Sequence, residues 1–225
     1  MSIFESLTES QQELVTLHLD LVIEANERVN LTRITSREEA MLLHIEDSLE
    51  GLNELEGAPK GLYGDMGSGA GYPGIPLAIV TGRKTVLIDA RKKKMEAMED
   101  IIVRLGLDQQ ISTFAGRAEL LARSQAKRYA ALTARALAKL PVLMELASPL
   151  LKHGGRLICY KANIEDDEMI HAKRVKKATG MEIVSDRSFV LGNDVNRRIV
   201  VFEKIADSLV KLPRQEGMAQ KKPLG

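Results

Sequence analysis

The chain has 225 residues, 44% of them apolar and 28% charged, which suits a globular domain with one sizeable core and excludes disordered, collagenous and coiled-coil chains. No stretch approaches the roughly 18 uncharged apolar residues of a membrane span. The start, with Glu5 and Glu9 and no basic run, does not read as a signal peptide, so a cytoplasmic, membrane-free protein is expected. The single cysteine, Cys159, leaves no intramolecular disulfide and no thiolate-rich metal site.

Lys and Arg number 32 and Asp and Glu 31, but this near-neutrality is a cancellation. Residues 1–60 carry four basic against thirteen acidic side chains, while residues 61–225 carry 28 against 18. The second piece is basic enough to attract a polyanion such as nucleic acid. A solvated surface of uneven charge explains the count about as well.

In chain order, Leu14, Leu17, Leu21 and Val22 recur at helical spacing behind a Thr8 cap. A second helix starts at Ser36, with Glu39 completing a Ser-x-x-Glu box, and buries Met41, Leu42 and Leu49. Two helices cannot make a core alone, so residues 1–60 are expected to form a helical appendage on the main domain. From Gly61 strands and helices alternate: strands at 62–65, 85–89, 111–114, 130–134 and 155–161, with helices at 75–80, 92–105, 140–151 and 165–179. Two final strands, 182–187 and 197–203, flank a Gly192-Asn193-Asp194 turn and read as an antiparallel hairpin. The expected fold is α/β, a mostly parallel seven-stranded sheet over 61–207 ending in that hairpin. Residues 208–225 form a basic tail with little to bury, expected to be mobile.

The strongest motif is Asp65-Met-Gly67-Ser-Gly69-Ala-Gly71-Tyr72-Pro73-Gly74, between a strand and a helix. Glycines allow a tight turn and let a ligand approach the backbone, so the loop is expected to hold a cofactor. Gly69 to Gly74 also fits a dinucleotide fingerprint, with Asp89 ending the next strand to hold a ribose. Two features favour S-adenosylmethionine (AdoMet). Asp65 suits an ammonium better than a pyrophosphate, and Pro73 and Pro76 interrupt the helix start where a pyrophosphate would sit. Asp89 remains open to the plainer reading of a strand-end surface acid.

The stretch from Asp65 to Ile79 resembles the signature of the RsmG (GidB) family of 16S ribosomal RNA guanine-N7 methyltransferases. The likeness continues through Val29-Asn30-Leu31-Thr32, His44-Ile45-Glu46-Asp47-Ser48-Leu49, Arg117-Ala118-Glu119, Ala134 to Ala138, Leu150 to Gly155, and the tail Pro213-Arg214 with Lys221 to Leu224. Leu212 departs from the family's usual aromatic, and Asp89-Ala90-Arg91 differs from its common variants. The resemblance implies a Rossmann-like class I methyltransferase acting on the 530 loop of the small subunit; the chain is expected to be a monomer. It implies that Gly67 and the backbone around Tyr72 contact AdoMet, that Ala118 and Glu119 border its adenine, and that Arg135 lies at the cofactor edge beside the target base; the glycine loop itself adds Gly69 and Gly71 as candidate cofactor contacts.

Guanine N7 carries an in-plane lone pair, so methylation needs alignment and no general base. An Arg fork matches the acceptors of guanine, and Arg135, Arg197 and Arg198 are the candidates to hold O6 or phosphate, with Arg214 on an RNA-facing tail. His44 with Asp47 and Ser48 reads first as a polar contact bracing the N-terminal helices on the sheet. His18, His153 and His171 stand apart from other ligands, so no metal is expected. Two further readings stay open: a nicotinamide-dependent oxidoreductase, and an RNA-binding protein that keeps this fold without catalysis.

Overall fold

The computed structural model describes residues 2–192 and 194–225. Among them, seven strands form one sheet: β1 (Leu62–Met66), β2 (Thr85–Asp89), β3 (Ile111–Ala115), β4 (Tyr129–Arg135), β5 (Leu151–Lys161), β6 (Met181–Leu191) and β7 (Val195–Lys204), in the order β3-β2-β1-β4-β5-β7-β6. Strands β1 to β5 are parallel, and β7 lies antiparallel between β5 and β6. The expected hairpin is therefore present, although Asn193 of its turn lies outside the described residues. The outermost strand, β6, alternates exposed and half-buried residues, so it runs further than its few apolar positions suggested. None of the described helices is long and apolar enough to cross a membrane.

Helices α5 (Gly74–Thr81), α6 (Lys92–Arg104), α7 (Ala118–Ser124), α8 (Leu140–Ala147) and α9 (Asp166–Thr179) connect successive strands from β1 to β6. Helix α7 was not expected from the sequence. Helix α8 ends at Ala147, earlier than its apolar run: Ser148 still has helical geometry, but Pro149 after it has no N–H to continue the ladder, and Leu151 to Gly154 extend β5 instead. Helices pack on both faces of the sheet. On one face Leu121, Leu143, Val175 and Phe202 surround Met66, Leu132 and Cys159. Burial pushes the Cys159 thiol well up, consistent with a core residue.

The opposite face is covered by α5, α6 and the N-terminal helices. Helix α1 (Glu9–Asn26) starts in a reciprocal box in which the Gln11 N–H donates to Thr8 Oγ1 and the Thr8 N–H to Gln11 Oε1. Its Val15, Leu19 and Val22 share a core with Ile75, Leu87, Met95 and Met98, while Leu17, placed inward by the spacing, faces solvent. Helix α2 (Arg37–Ala40) is capped by Ser36 accepting from the Glu39 N–H, one half of the expected box. It then widens into a π-helical turn, Met41–Glu46, before α3 (Asp47–Leu49) and α4 (Leu52–Glu56). Through that turn His44, Ile45, Asp47, Ser48 and Leu49 are buried, whereas Met41 and Leu42, expected in the core, are only half-buried.

The tail departs from the expectation that it has little to bury. Ala219 of the short helix α10 (Met218–Lys221) is buried in the same cluster as Leu121 and Leu143, and the Gly217 N–H donates to Glu119 Oε1. Arg214, expected to meet RNA, is spent inside the chain. It holds the buried Glu145 carboxylate through two bonds of 2.7 and 2.6 Å and also donates to Lys222 O. Arg214→Ala would strand that carboxylate, so a loss of about 2 kcal/mol is expected, discounted for the partial exposure of the guanidinium. Urea unfolding would measure the loss, and limited proteolysis should show new cuts within 208–225. An unchanged cleavage pattern would mean that the clamp does not hold the tail.

Candidate active site

The strand order reverses between β1 and β4, and ligands of open α/β sheets bind beyond the carboxyl ends of strands at such a point. Here the ends of β1, β2 and β4 wall a cavity of about 420 Å³. Of the residues expected to meet a cofactor, Gly67, Gly69, Asp89, Ala118, Glu119 and Arg135 line it, while Asp65, Gly71 and Tyr72 do not. Gly67 has a φ of +72°, and a Cβ there would lie 2.9 Å from Leu137 Cδ1 on the cavity wall. A side chain at this position would therefore strain the turn and crowd the space.

Asp89 is held at the end of β2, its Oδ2 accepting from the Gly69 N–H at 3.1 Å and its Oδ1 from the Arg91 N–H at 2.8 Å. Each oxygen keeps a lone pair for further donors, as a ribose diol would supply. Met66, Ile88, Leu137 and Leu146 give the cavity apolar walls, and Gln220 brings the tail to its edge.

Asp65 does different work from the ammonium contact expected of it. It is fully buried beneath the loop, with Oδ2 accepting from the Gly74 N–H at 3.0 Å and Oδ1 from Thr133 Oγ1 at 2.7 Å. Burial raises its pKa to about 6, against the pull of those two bonds and of Arg135. The carboxylate thus caps α5. A Cβ at Gly74 would lie 2.8 Å from Asp65 Oδ2, so glycine permits this close start. Pro73 precedes the helix and Pro76 sits in its first turn, where a missing N–H costs nothing, so neither interrupts it. Because the chain's own carboxylate occupies the start of α5, no helix end is left there for a pyrophosphate, and the dinucleotide reading loses its anion site.

Tyr72 is buried behind the cavity. Its ring stacks on His44 with centroids 4.5 Å apart and planes at 14°, and lies 4.5 Å from the ring of His18, while Arg135 Cζ sits 5.7 Å above it. Burial, and secondarily Arg135, lowers the His44 pKa to about 4, and burial lowers that of His18 to about 3. Both rings are neutral at neutral pH, so neither opposes the Arg135 charge. His44 Nε2 lies 2.9 Å from Thr32 Oγ1, which ties the N-terminal segment to this stack.

Arg135 Nη1 donates to Leu43 O at 2.9 Å and to Asp47 Oδ2 at 2.8 Å, and Arg197 Nε donates to Asp47 Oδ1 at 3.0 Å. The π-helical turn and α3 therefore grip the end of β4 and the start of β7 through one buried carboxylate. Arg198 stands apart, paired with Asp186 through two bonds of 2.6 and 2.7 Å and lining neither this cavity nor its neighbour. Among the described residues no group of three His, Cys, Asp or Glu side chains could hold a metal ion. The Asp47 pairing escaped the sequence reading, because residues 47, 135 and 197 meet only in the folded chain.

The family profile described as rRNA small subunit methyltransferase G (GidB) matches residues 11–200. The Ribosomal RNA small subunit methyltransferase G of Desulfitobacterium hafniense (strain Y51) is 39% identical over 222 residues, 97% of this chain and 91% of that protein. The protein of the same name from Lactobacillus helveticus (strain DPC 4571) is 35% identical over 224 residues, 97% and 93% of the two chains. Among solved structures, geranyl diphosphate methyltransferase in complex with SAM shares the fold at a TM-score of 0.59 and 13% identity, over 75% of this chain and 89% of that one. MtNAS in complex with MTA and tNA does so at 0.56 and 18%, over 85% and 70%. A glycine turn at the point where the strand order reverses, an acid ending β2, an antiparallel hairpin closing the sheet and likeness along almost the whole length agree on one assignment: the chain belongs to the rRNA small subunit methyltransferase G family.

Proposed function

We propose that the protein transfers a methyl group from AdoMet to N7 of a guanine in 16S rRNA of the small ribosomal subunit. The observation that carries this reading is the cavity at the carboxyl ends of β1, β2 and β4, which joins backbone glycines, the Asp89 carboxylate and apolar walls in about 420 Å³, a volume usual for small-molecule sites. These groups fit AdoMet. The backbone at Gly67 and Gly69 would lie along it, Asp89 would take its ribose hydroxyls, and Ala118 and Glu119 would border its adenine.

When bound, AdoMet supplies a sulfonium methyl that the N7 lone pair takes, the C–S electron pair staying on sulfur and no proton being released. The chain therefore needs no base, in keeping with the neutral, buried histidines beside Arg135. Its work is to hold the reacting atoms in line and keep water out. Met66, Ile88, Leu137 and Leu146 exclude water, and Arg135, anchored by Leu43 O, Asp47 and the face of Tyr72, is fixed where β4 meets the cavity.

Mass spectrometry of 16S rRNA from cells with and without the gene tests the reading. One N7-methylguanine is expected to disappear with the gene and to return when purified protein and AdoMet are added to small subunits from the deletion strain. Identical modification in both strains would refute it. NADH binding without AdoMet binding would revive the oxidoreductase reading.

A further inference from the structure

A second cavity of about 410 Å³ lies beside the first and shares Arg135 and Ala136 with it. Ala136 has a φ of +52°, a left-handed conformation that a residue with a Cβ seldom adopts and that persists only where the surroundings impose it. The wall between the two cavities is therefore held in a shape that its surroundings impose. Ile34, Leu43 and Ala136 give the second cavity apolar surface, and most of its charged groups are already committed within the chain. The two oxygens of Asp47 are turned to Arg135 and Arg197, and the carboxylate is 3% exposed. Tyr160 OH donates to Ser48 O, and Lys161 is paired with Glu168. Two guanidinium groups remain for a ligand, beside the Asn163 amide, which can donate or accept. Among the described residues Arg197 Nη2 has no acceptor, and Arg135 Nη2 has only His44 Nδ1 at 3.4 Å.

Resting on the methyl-transfer reading above, we infer that this second cavity holds the target guanine and that Arg197, set in place by Asp47, selects it. The major-groove edge of guanine presents two acceptors, N7 and O6, whereas adenine presents an acceptor and an amine donor. The free Nη2 of Arg197, which can only donate, can hold O6. It faces the amine of adenine with another donor and leaves both unpaired. N7 itself must stay free of any donor, since it receives the methyl, so Arg197 is assigned to O6 while the N7 edge faces the shared wall. The major groove of A-form RNA is too deep and narrow for side chains to read, so the guanine must be unpaired or turned out of its helix to enter. Asp47 touches neither base nor cofactor in this arrangement and is a positioning residue.

Full-length wild-type, Arg197→Ala, Arg197→Lys and Asp47→Asn proteins would be compared in methyl transfer to small subunits from the deletion strain, with AdoMet binding by calorimetry as the check on folding. Arg197→Ala is expected to lower kcat/KM by about 30-fold or more while AdoMet affinity stays within about threefold. Arg197→Lys should recover little, because one ammonium cannot both bond Asp47 and reach O6 with the geometry of the guanidinium. Asp47→Asn should lose about tenfold, mostly in kcat. With subunits carrying adenine at the target position, the preference for guanine should shrink by about tenfold in Arg197→Ala. Full rescue by lysine would place a phosphate, and no base, at Arg197, and activity within about threefold of wild type in Arg197→Ala would empty the cavity of its role; either overturns the inference alone. A wild-type protein that transfers no methyl overturns the methyl-transfer reading with it.

Discussion

Arg135→Ala is expected to lower kcat/KM for methyl transfer by roughly 100- to 1,000-fold, equivalent to about 3–4 kcal/mol of transition-state stabilisation. Among the described residues Arg135 is the only charged side chain common to both cavities, and three separate groups fix it: Leu43 O, Asp47 Oδ2 and the face of Tyr72. Truncation merges the two spaces and leaves Asp47 with Arg197 alone. The nucleophile and the methyl lose their common wall, and a misplacement of about 1 Å is enough to cost on the order of 100-fold. Arg135→Lys should recover less than about tenfold, because one ammonium cannot reach Leu43 O and Asp47 with the geometry of the fork. AdoMet affinity, which the proposed reading assigns mainly to Gly67, Gly69 and Asp89, should change by less than about tenfold. Single-turnover transfer to small subunits, with calorimetry for the cofactor, separates the two effects. Activity of Arg135→Ala within about threefold of wild type would remove the residue from the reaction.

Much of this architecture was legible in the sequence where one local rule dominated. Thr85–Asp89 is a strand from its first residue to its last because a run of buried β-formers meets no competing signal. The glycine loop was legible because its turn needs glycine for a backbone reason. Helix α7 was missed because seven residues give too little periodicity to register, and the π-helical turn because a widened turn breaks the spacing that a helix reading assumes. Site residues divided on the same line. Gly67, Gly69 and Asp89 follow directly from the motif and line the cavity, whereas Asp65 and Tyr72 belong to it in sequence but turn behind it. For them position in the motif was a poor guide to direction. The strand turns alternate side chains to opposite faces, so Asp65 points beneath the loop at Thr133. Arg214 misled for another reason: a basic residue in a tail usually meets solvent or a polyanion, and nothing local announces that Glu145, on a wholly buried helix, lacks another cation.

The placement of Asp65 gives the second large effect, and its sign separates a cap from a ligand. Asp65→Ala leaves the Gly74 N–H and Thr133 Oγ1 without their buried acceptor, so a loss of about 2–4 kcal/mol is expected. Asp65→Asn keeps both contacts, since its oxygen can accept from Gly74 and its amide donate to Thr133, whose hydroxyl is then free to donate to Tyr63 OH. The carboxyl titrates near 6 in the folded protein against an ordinary value of 3.8, so the folded state binds its proton more tightly than the unfolded chain does. Stability from this group is fully present below about pH 4 and is lost as pH rises through about 6, a span worth at most about 3 kcal/mol. His44, lowered from 6.5 to about 4, runs the other way: its contribution is complete above 6.5 and is lost as pH falls toward 4. In wild type the two slopes oppose each other, and Asp65→Asn uncovers the histidine slope. Urea unfolding from pH 4 to 8 should therefore show the variant gaining on wild type as pH rises, with AdoMet affinity at pH 7.5 almost unchanged. A tenfold or greater loss of AdoMet affinity in Asp65→Asn, with no change in the pH slope, would instead put this carboxylate on the cofactor.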